Sequence, residues 1–359
     1  LALSDVSGTY YLVARGAVID SGALAITGAA TIIAQSTDGN TNYDITLDDA
    51  SHNFGTISVT GKAVQLVDAG AIDLGASTVT ETYAVTATAG GDITNSGALN
   101  ITGAATFTAA NGQSITLDES NTFSNTVAFS SGGTLANVEV KSTTAFVLAE
   151  TANLTLSGNL TVTTVAGGLS DTNVITVPGT TTITATGQSV VLNNASNNFG
   201  TVIFTGTGNG VESVEVVDTN AIEIGTSKSS GDFKVTAGGD ITDDGIITVA
   251  ASDATLYAIT NANNGDVTLN ELAVTGFIDL ATHVDGSNNT SHATIVNATA
   301  VQLAASTVDG DLSATATTGN ITQTGALTIS GTSTLVTSAE DATIDLKVDS
   351  ITNAFTGAL

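Results

Sequence analysis

The chain of 359 residues carries 34 acidic against 6 basic residues, a formal net charge of -28, and holds 38 Gly, 1 Pro and no Cys, Met or Trp. That balance leaves no basic patch for nucleic acid or an anionic membrane, and the absence of cysteine removes disulfides and thiolate chemistry. With 42% hydrophobic and only 11% charged residues the chain is too apolar to be disordered, yet no run of ~18 apolar residues would cross a bilayer as a helix.

From the amino end, Leu1 begins in mid-phrase with no signal peptide, so the chain reads as a processed product or a portion of something longer. Three landmarks then recur. An apolar strand start stands at Leu24, Leu99, Ile175, Ile247 and Leu327, in steps of 75, 76, 72 and 80 residues. An aromatic after an Asn/Asp-rich turn stands at Phe54, Phe123, Phe199, Phe277 and Phe355, in steps of 69, 76, 78 and 78. The phrases A-I-D-L, A-F-V-L, A-I-E-I and A-V-Q-L start at Ala71, Ala145, Ala221 and Ala300, in steps of 74, 76 and 79. One spacing kept by three landmarks predicts a repeat of about 75 residues, with boundaries near 17–90, 91–166, 167–238, 239–318 and a partial copy at 319–359.

Within one copy the elements are short strands. In GGDITNSGALNITGAATFTA, from Gly90 to Ala109, Leu99, Ile101, Ala105 and Phe107 point one way and Asn100, Thr102, Thr106 and Thr108 the other. Further strands are expected around Ile115 and Leu117, Val127 and Phe129, Val138 and Val140, Phe146 and Leu148, Leu154 and Leu156, and Leu160 and Val162. Gly, Asn, Asp or Ser separates them, and the density of Thr and Val favours pleated backbone. A propeller blade would need a shorter repeat of roughly 40–50 residues, and a sandwich has no reason to repeat. The pattern predicts an all-β, right-handed parallel β-helix over 1–359, a single continuous β-solenoid. Each repeat makes three to four coils, about 18 coils of roughly 20 residues in all, a rod of roughly 85 Å at ~4.8 Å per coil. Asn193, Asn194, Asn197 and Asn198 are expected at turns, where Asn tolerates left-handed backbone and stacks in ladders.

The wording GDITNSGALNITGAATFTA, SVVLNNASNNFGTVIFTG, DTNAIEIGTS and GNITQTGALTISGTSTLV resembles the repeats of filamentous-haemagglutinin-like adhesins, in the same order and from Leu3 to Phe355. The resemblance implies a β-helical shaft on a bacterial surface, secreted through a partner outer-membrane pore. No secretion domain or adhesive insertion is visible, so it implies a shaft more than an adhesive tip.

Candidate sites are few. His52, in the turn Asp48–Asp49–Ala50–Ser51–His52–Asn53, and His283 and His292, flanking the loop from Asp285 to Asn289, read as turn residues facing solvent. The acidic pairs Asp48–Asp49, Asp118–Glu119 and Asp243–Asp244 read as solvated turns that hold at most loosely bound calcium, because no D-x-D-x-D-G loop is present. One Arg and five scattered Lys cannot serve a lyase of acidic polysaccharide, and no carboxylate pair stands out for glycoside cleavage. Thr78–Val79–Thr80, Thr182–Ile183–Thr184 and Thr315–Ala316–Thr317 shift position within the copy, unlike an ice-binding face. The triplets at Asn100, Asn153, Asn159, Asn297 and Asn320 are those chance supplies in a Thr-rich chain. The expectation is a non-catalytic extracellular rod without cofactor, metal or catalytic residues, associating with itself end to end or side by side. A carbohydrate-binding or -cleaving β-helix is the alternative.

Overall fold

The computed structural model describes residues 1, 4–262, 264–282 and 290–359. Among these the chain is all-β, a parallel solenoid of about 16 turns. It divides into two compact units. One is Leu1–Gly167 with Asp171–Gly179, the other Gly168–Ser170 with Thr180–Leu359.

In the first unit one wall is a parallel sheet of Val18–Ile19, Ile45–Leu47, Val64–Asp68, Tyr83–Ala87, Ala105–Ala109 and Val127–Ser131. Ile72–Leu74, Ile93–Asn95, Ile115–Phe123, Val138–Ser142 and Leu160–Thr164 build a second run, one strand per turn. Ser77–Val79 and Leu99–Ile101 pair beside it and meet the second half of Ile115–Phe123. In the second unit Val190–Leu192, Val214–Asp218, Phe233–Ala237, Thr255–Thr260 and Phe277–Ala281 form one parallel wall. Ile222–Ile224, Ile241–Asp243, Val267–Val274, Ala293–Asn297, Leu312–Ala316 and Ser333–Thr337 form another.

Alternation along each strand explains the winding. Inward residues are buried and outward ones are not, as in the pattern of Ala105–Ala109, where Ala105, Phe107 and Ala109 face in. Register then puts like over like: Val85 pairs with Phe107, and Phe107 with Phe129. The Phe107 and Phe129 rings stack with centroids 6.2 Å apart, and Tyr83 meets Phe107 edge-on at 5.9 Å. Phe204 and Phe233 repeat the edge contact at 5.6 Å in the second unit. Burying each inward aliphatic contributes about 1.5–3 kcal/mol, and each strand's N–H and C=O groups bond to the turns before and after it.

The turns are fewer than the 18 expected because their lengths are uneven. Thr56 meets Asp73 after 17 residues, whereas Leu24 meets His52 after 28. Loops such as Gln35 to Asn42, closed by an antiparallel bridge, lengthen a turn without adding height.

Candidate functional site

The polar residues that recur with the repeat are not at the surface but inside its corners. Two residues before Phe54, His52 is fully buried, and its Nδ1 accepts the Leu24 N–H at 2.9 Å. Two residues before Phe123, Asn121 is fully buried, and its Oδ1 accepts the Leu99 N–H at 2.9 Å. Two residues before Phe355, the Asn353 Oδ1 accepts the Leu327 N–H at 2.9 Å. Asn197, two residues before Phe199, is fully buried as well. The donors Leu24, Leu99 and Leu327 are the recurring strand starts of the sequence, so one landmark is tied to the other by a side-chain acceptor one turn away.

A second corner lies three residues before each recurring Ala. Asp68, Ser142, Asp218 and Asn297 stand there, all buried. Asp68 Oδ2 accepts the Phe54 N–H at 2.7 Å while Oδ1 accepts that of Gly70 at 2.7 Å. Asp218 accepts from Phe199 at 2.5 Å and Asn220 at 2.8 Å. Asn297 accepts from Val274 at 2.9 Å. Burial pushes both Asp68 and Asp218 carboxyls up, against the opposing pull of the backbone N–H groups and, at Asp68, of nearby His52. A third corner uses hydroxyls: Ser77, Ser227 and Ser306 accept from Val59, Phe204 and Leu280 at 3.0, 3.0 and 3.1 Å. A turn that changes direction breaks the strand ladder, and a buried N–H left without an acceptor costs about 1–3 kcal/mol. These side chains supply that acceptor.

His52 therefore does not face solvent, which corrects the sequence expectation. Its Nε2 lies 2.7 Å from Asp20 Oδ2. Composition of the turn misled the reading, whereas its phase did not: His52 occupies the place that Asn121, Asn197 and Asn353 take in other copies. His292 is half-exposed, as expected of a turn. Its Nδ1 accepts the Asp311 N–H at 2.9 Å. His283 and the loop Asp285–Asn289 lie outside the described residues.

The acidic pairs stay largely at the surface. Asp48, Asp118, Glu119 and Asp244 are exposed, while the Asp243 carboxylate accepts from the Asn270 and Glu271 N–H groups at 3.0 and 2.8 Å. Among the described residues no three His, Cys, Asp or Glu side chains converge as metal ligands would. Of the N-x-S/T triplets, Asn297 is buried in its corner and Asn100, Asn153, Asn159 and Asn320 are exposed. Thr78 and Thr80 are exposed around buried Val79, and Thr182 and Thr184 are half-exposed around buried Ile183.

One copy departs from the pattern. Where Gly75–Ala76–Ser77 and Gly225–Thr226–Ser227 close a corner, this copy has Ala149–Glu150–Thr151. Ala149 takes a left-handed φ of 52° and Thr151 is exposed. Two adjoining clefts of about 580 and 260 Å³ open there, with Glu150 on the rim of both and Phe123, Phe146 and Phe129 in their walls.

No curated protein and no solved structure matches the chain. A family model, by contrast, matches five times, at residues 1–60, 61–130, 135–206, 211–280 and 290–359. The matched segments cover nearly all of the sequence, so the chain belongs to the family described as Repeats of unknown function (DUF5649).

Proposed function

We propose that the protein is a non-catalytic structural shaft, extending from a bacterial cell surface or building an extracellular filament. One observation carries this reading. The recurring polar side chains, the ones a catalytic repeat would aim at a substrate, are buried or, at Asn353, half-buried, and are taken up by backbone N–H groups of a neighbouring turn. What the repeat specifies is therefore height, one turn after another. The likeness of its phrases to filamentous-haemagglutinin-like repeats supports the surface location and secretion. The charge of -28 supports an extracellular polymer kept apart from its neighbours until cations bridge them.

Electron microscopy of single molecules tests the reading. The expected particle is an unbranched rod of roughly 75–80 Å, from about 16 turns at ~4.8 Å each. Compact or bent two-lobed particles would defeat it. Added calcium is expected to raise light scattering through lateral bundling; a flat response would remove the filament version and leave the isolated shaft.

A further inference from the structure

On the outward face of the second unit, one column of side chains sets an aromatic ring among charged groups. Tyr257 is in register with Lys234 on one side and Asp279 on the other. Lys234 is in register with Glu215, and Glu215 with Val191. The corresponding column in the first unit reads Gln65, Ala84, Thr106 and Ala128. Tyr257 is the one tyrosine among residues 180–359, and it is half-buried on a rigid strand with its neighbours fixed by the sheet.

The polar groups of the column are held in place. Lys234 Nζ lies 3.0 Å from Glu215 Oε1, and Asn193 Nδ2 donates to Glu215 Oε2 at 3.3 Å. Asp279 is half-buried, and burial pushes its carboxyl up. A groove of about 570 Å³ passes over Glu215, Lys234 and Tyr257, with Ser213 and Asp232 on one side and Ile259 on the other.

The chemistry selects the occupant. A phenol ring between charged groups offers an apolar plane for the C–H face of a pyranose, with acceptors and donors at its edges for hydroxyls. Strands lie ~4.8 Å apart, close to the length of one hexose in an extended chain. Successive sugars would then meet the Glu215–Lys234 pair and Tyr257 in turn. Two carboxylates of the groove, Glu215 and Asp232, against one ammonium, Lys234, in a chain of net charge -28, repel a sulfated or uronic polymer. Lys234, already paired, works against a cationic peptide. We propose that this groove binds an extended, uncharged glycan, with Tyr257 as the stacking platform and Glu215 and Lys234 as hydrogen-bonding partners. The proposal does not depend on the shaft reading, since a wall of this kind would bind whether or not the two units form one rod.

The test is affinity electrophoresis of the whole chain in native gels cast with hydroxyethylcellulose, glucomannan, β-1,4-galactan or starch. Retardation is expected in at least one gel. Tyr257→Thr, which copies Thr106 of the corresponding first-unit column, should weaken it about tenfold, whereas Tyr257→Phe stays within about threefold. Lys234→Met should weaken it by a smaller factor and serves as the second variant if Tyr257→Thr lowers the melting temperature. No retardation in any gel, retardation unchanged by both Tyr257→Thr and Lys234→Met, or retention by heparin or polylysine alone would each overturn the proposal.

Discussion

His52 and Leu24 stand 28 residues apart and are joined by a single buried hydrogen bond, the Leu24 N–H donating to Nδ1 at 2.9 Å. The same bond joins Asn121 to Leu99 and Asn353 to Leu327. The position thus requires an acceptor and tolerates either an imidazole or an amide. His52→Asn is expected to cost less than about 1 kcal/mol, whereas His52→Leu, which orphans the Leu24 N–H, should cost about 2–3 kcal/mol. Urea unfolding of the two variants checks this; equal losses would mean that the ring packs rather than accepts.

The carboxyls of Asp68 and Asp218 give stability an unusual pH dependence. Both are raised by burial. Between the unfolded value of about 4 and the higher folded value, the native chain holds protons that the unfolded chain has released. The stability they contribute is full below about pH 4 and is lost as pH rises through the folded value. Asp38 acts oppositely: hydrogen bonds from Ser36 and Asn40 hold it at about 2, so its contribution is lost only as pH falls below the ordinary carboxylate range. Midpoints of unfolding should therefore rise on acidification from pH 7 toward about 4. Asp68→Asn, copying native Asn297 at the equivalent corner, should flatten that rise. An identical slope in wild type and variant would show that Asp68 ionises freely in the folded chain.

Backbone geometry supplies the third expectation. Ala149 holds a left-handed φ of 52°. Ala149→Gly should raise stability by about 0.5–1 kcal/mol through relief of that conformation. Gly91 is the reverse case. A Cβ there would stand 2.1 Å from the Gly70 carbonyl carbon and 2.2 Å from the Ala71 nitrogen. Gly91→Ala should cost about 1–3 kcal/mol, since only backbone can yield. Chemical denaturation of both variants reads the two signs directly.

The inward face was legible in the sequence because burial imposes a period of two. Leu99, Ile101, Ala105 and Phe107 are all buried, as their alternation with Asn and Thr requires. Repetition was legible for the same reason, as one turn must lie on the last. The corners were not. Asp68, Asn121, Asn197 and His52 have the composition of solvated turns, and their burial follows from N–H groups that only the wound chain leaves without partners. Their phase relative to Phe54, Phe123 and Phe199 was the available signal. The column of Tyr257, Lys234 and Glu215 was equally hidden, because residues 19 to 23 apart become neighbours only once the length of each turn is known.

Winding in parallel register is tested most directly by thiol bridging, since the chain has no cysteine of its own. Ala84 is in register with Thr106, and Thr86 with Thr108, in the wall of the first unit. A short bifunctional thiol reagent should bridge Ala84→Cys with Thr106→Cys, and Thr86→Cys with Thr108→Cys, within single molecules. The crossed pair, Ala84→Cys with Thr108→Cys, should bridge poorly. Efficient bridging of the crossed pair and of Thr86→Cys with Thr106→Cys would mean antiparallel strands and would contradict a solenoid.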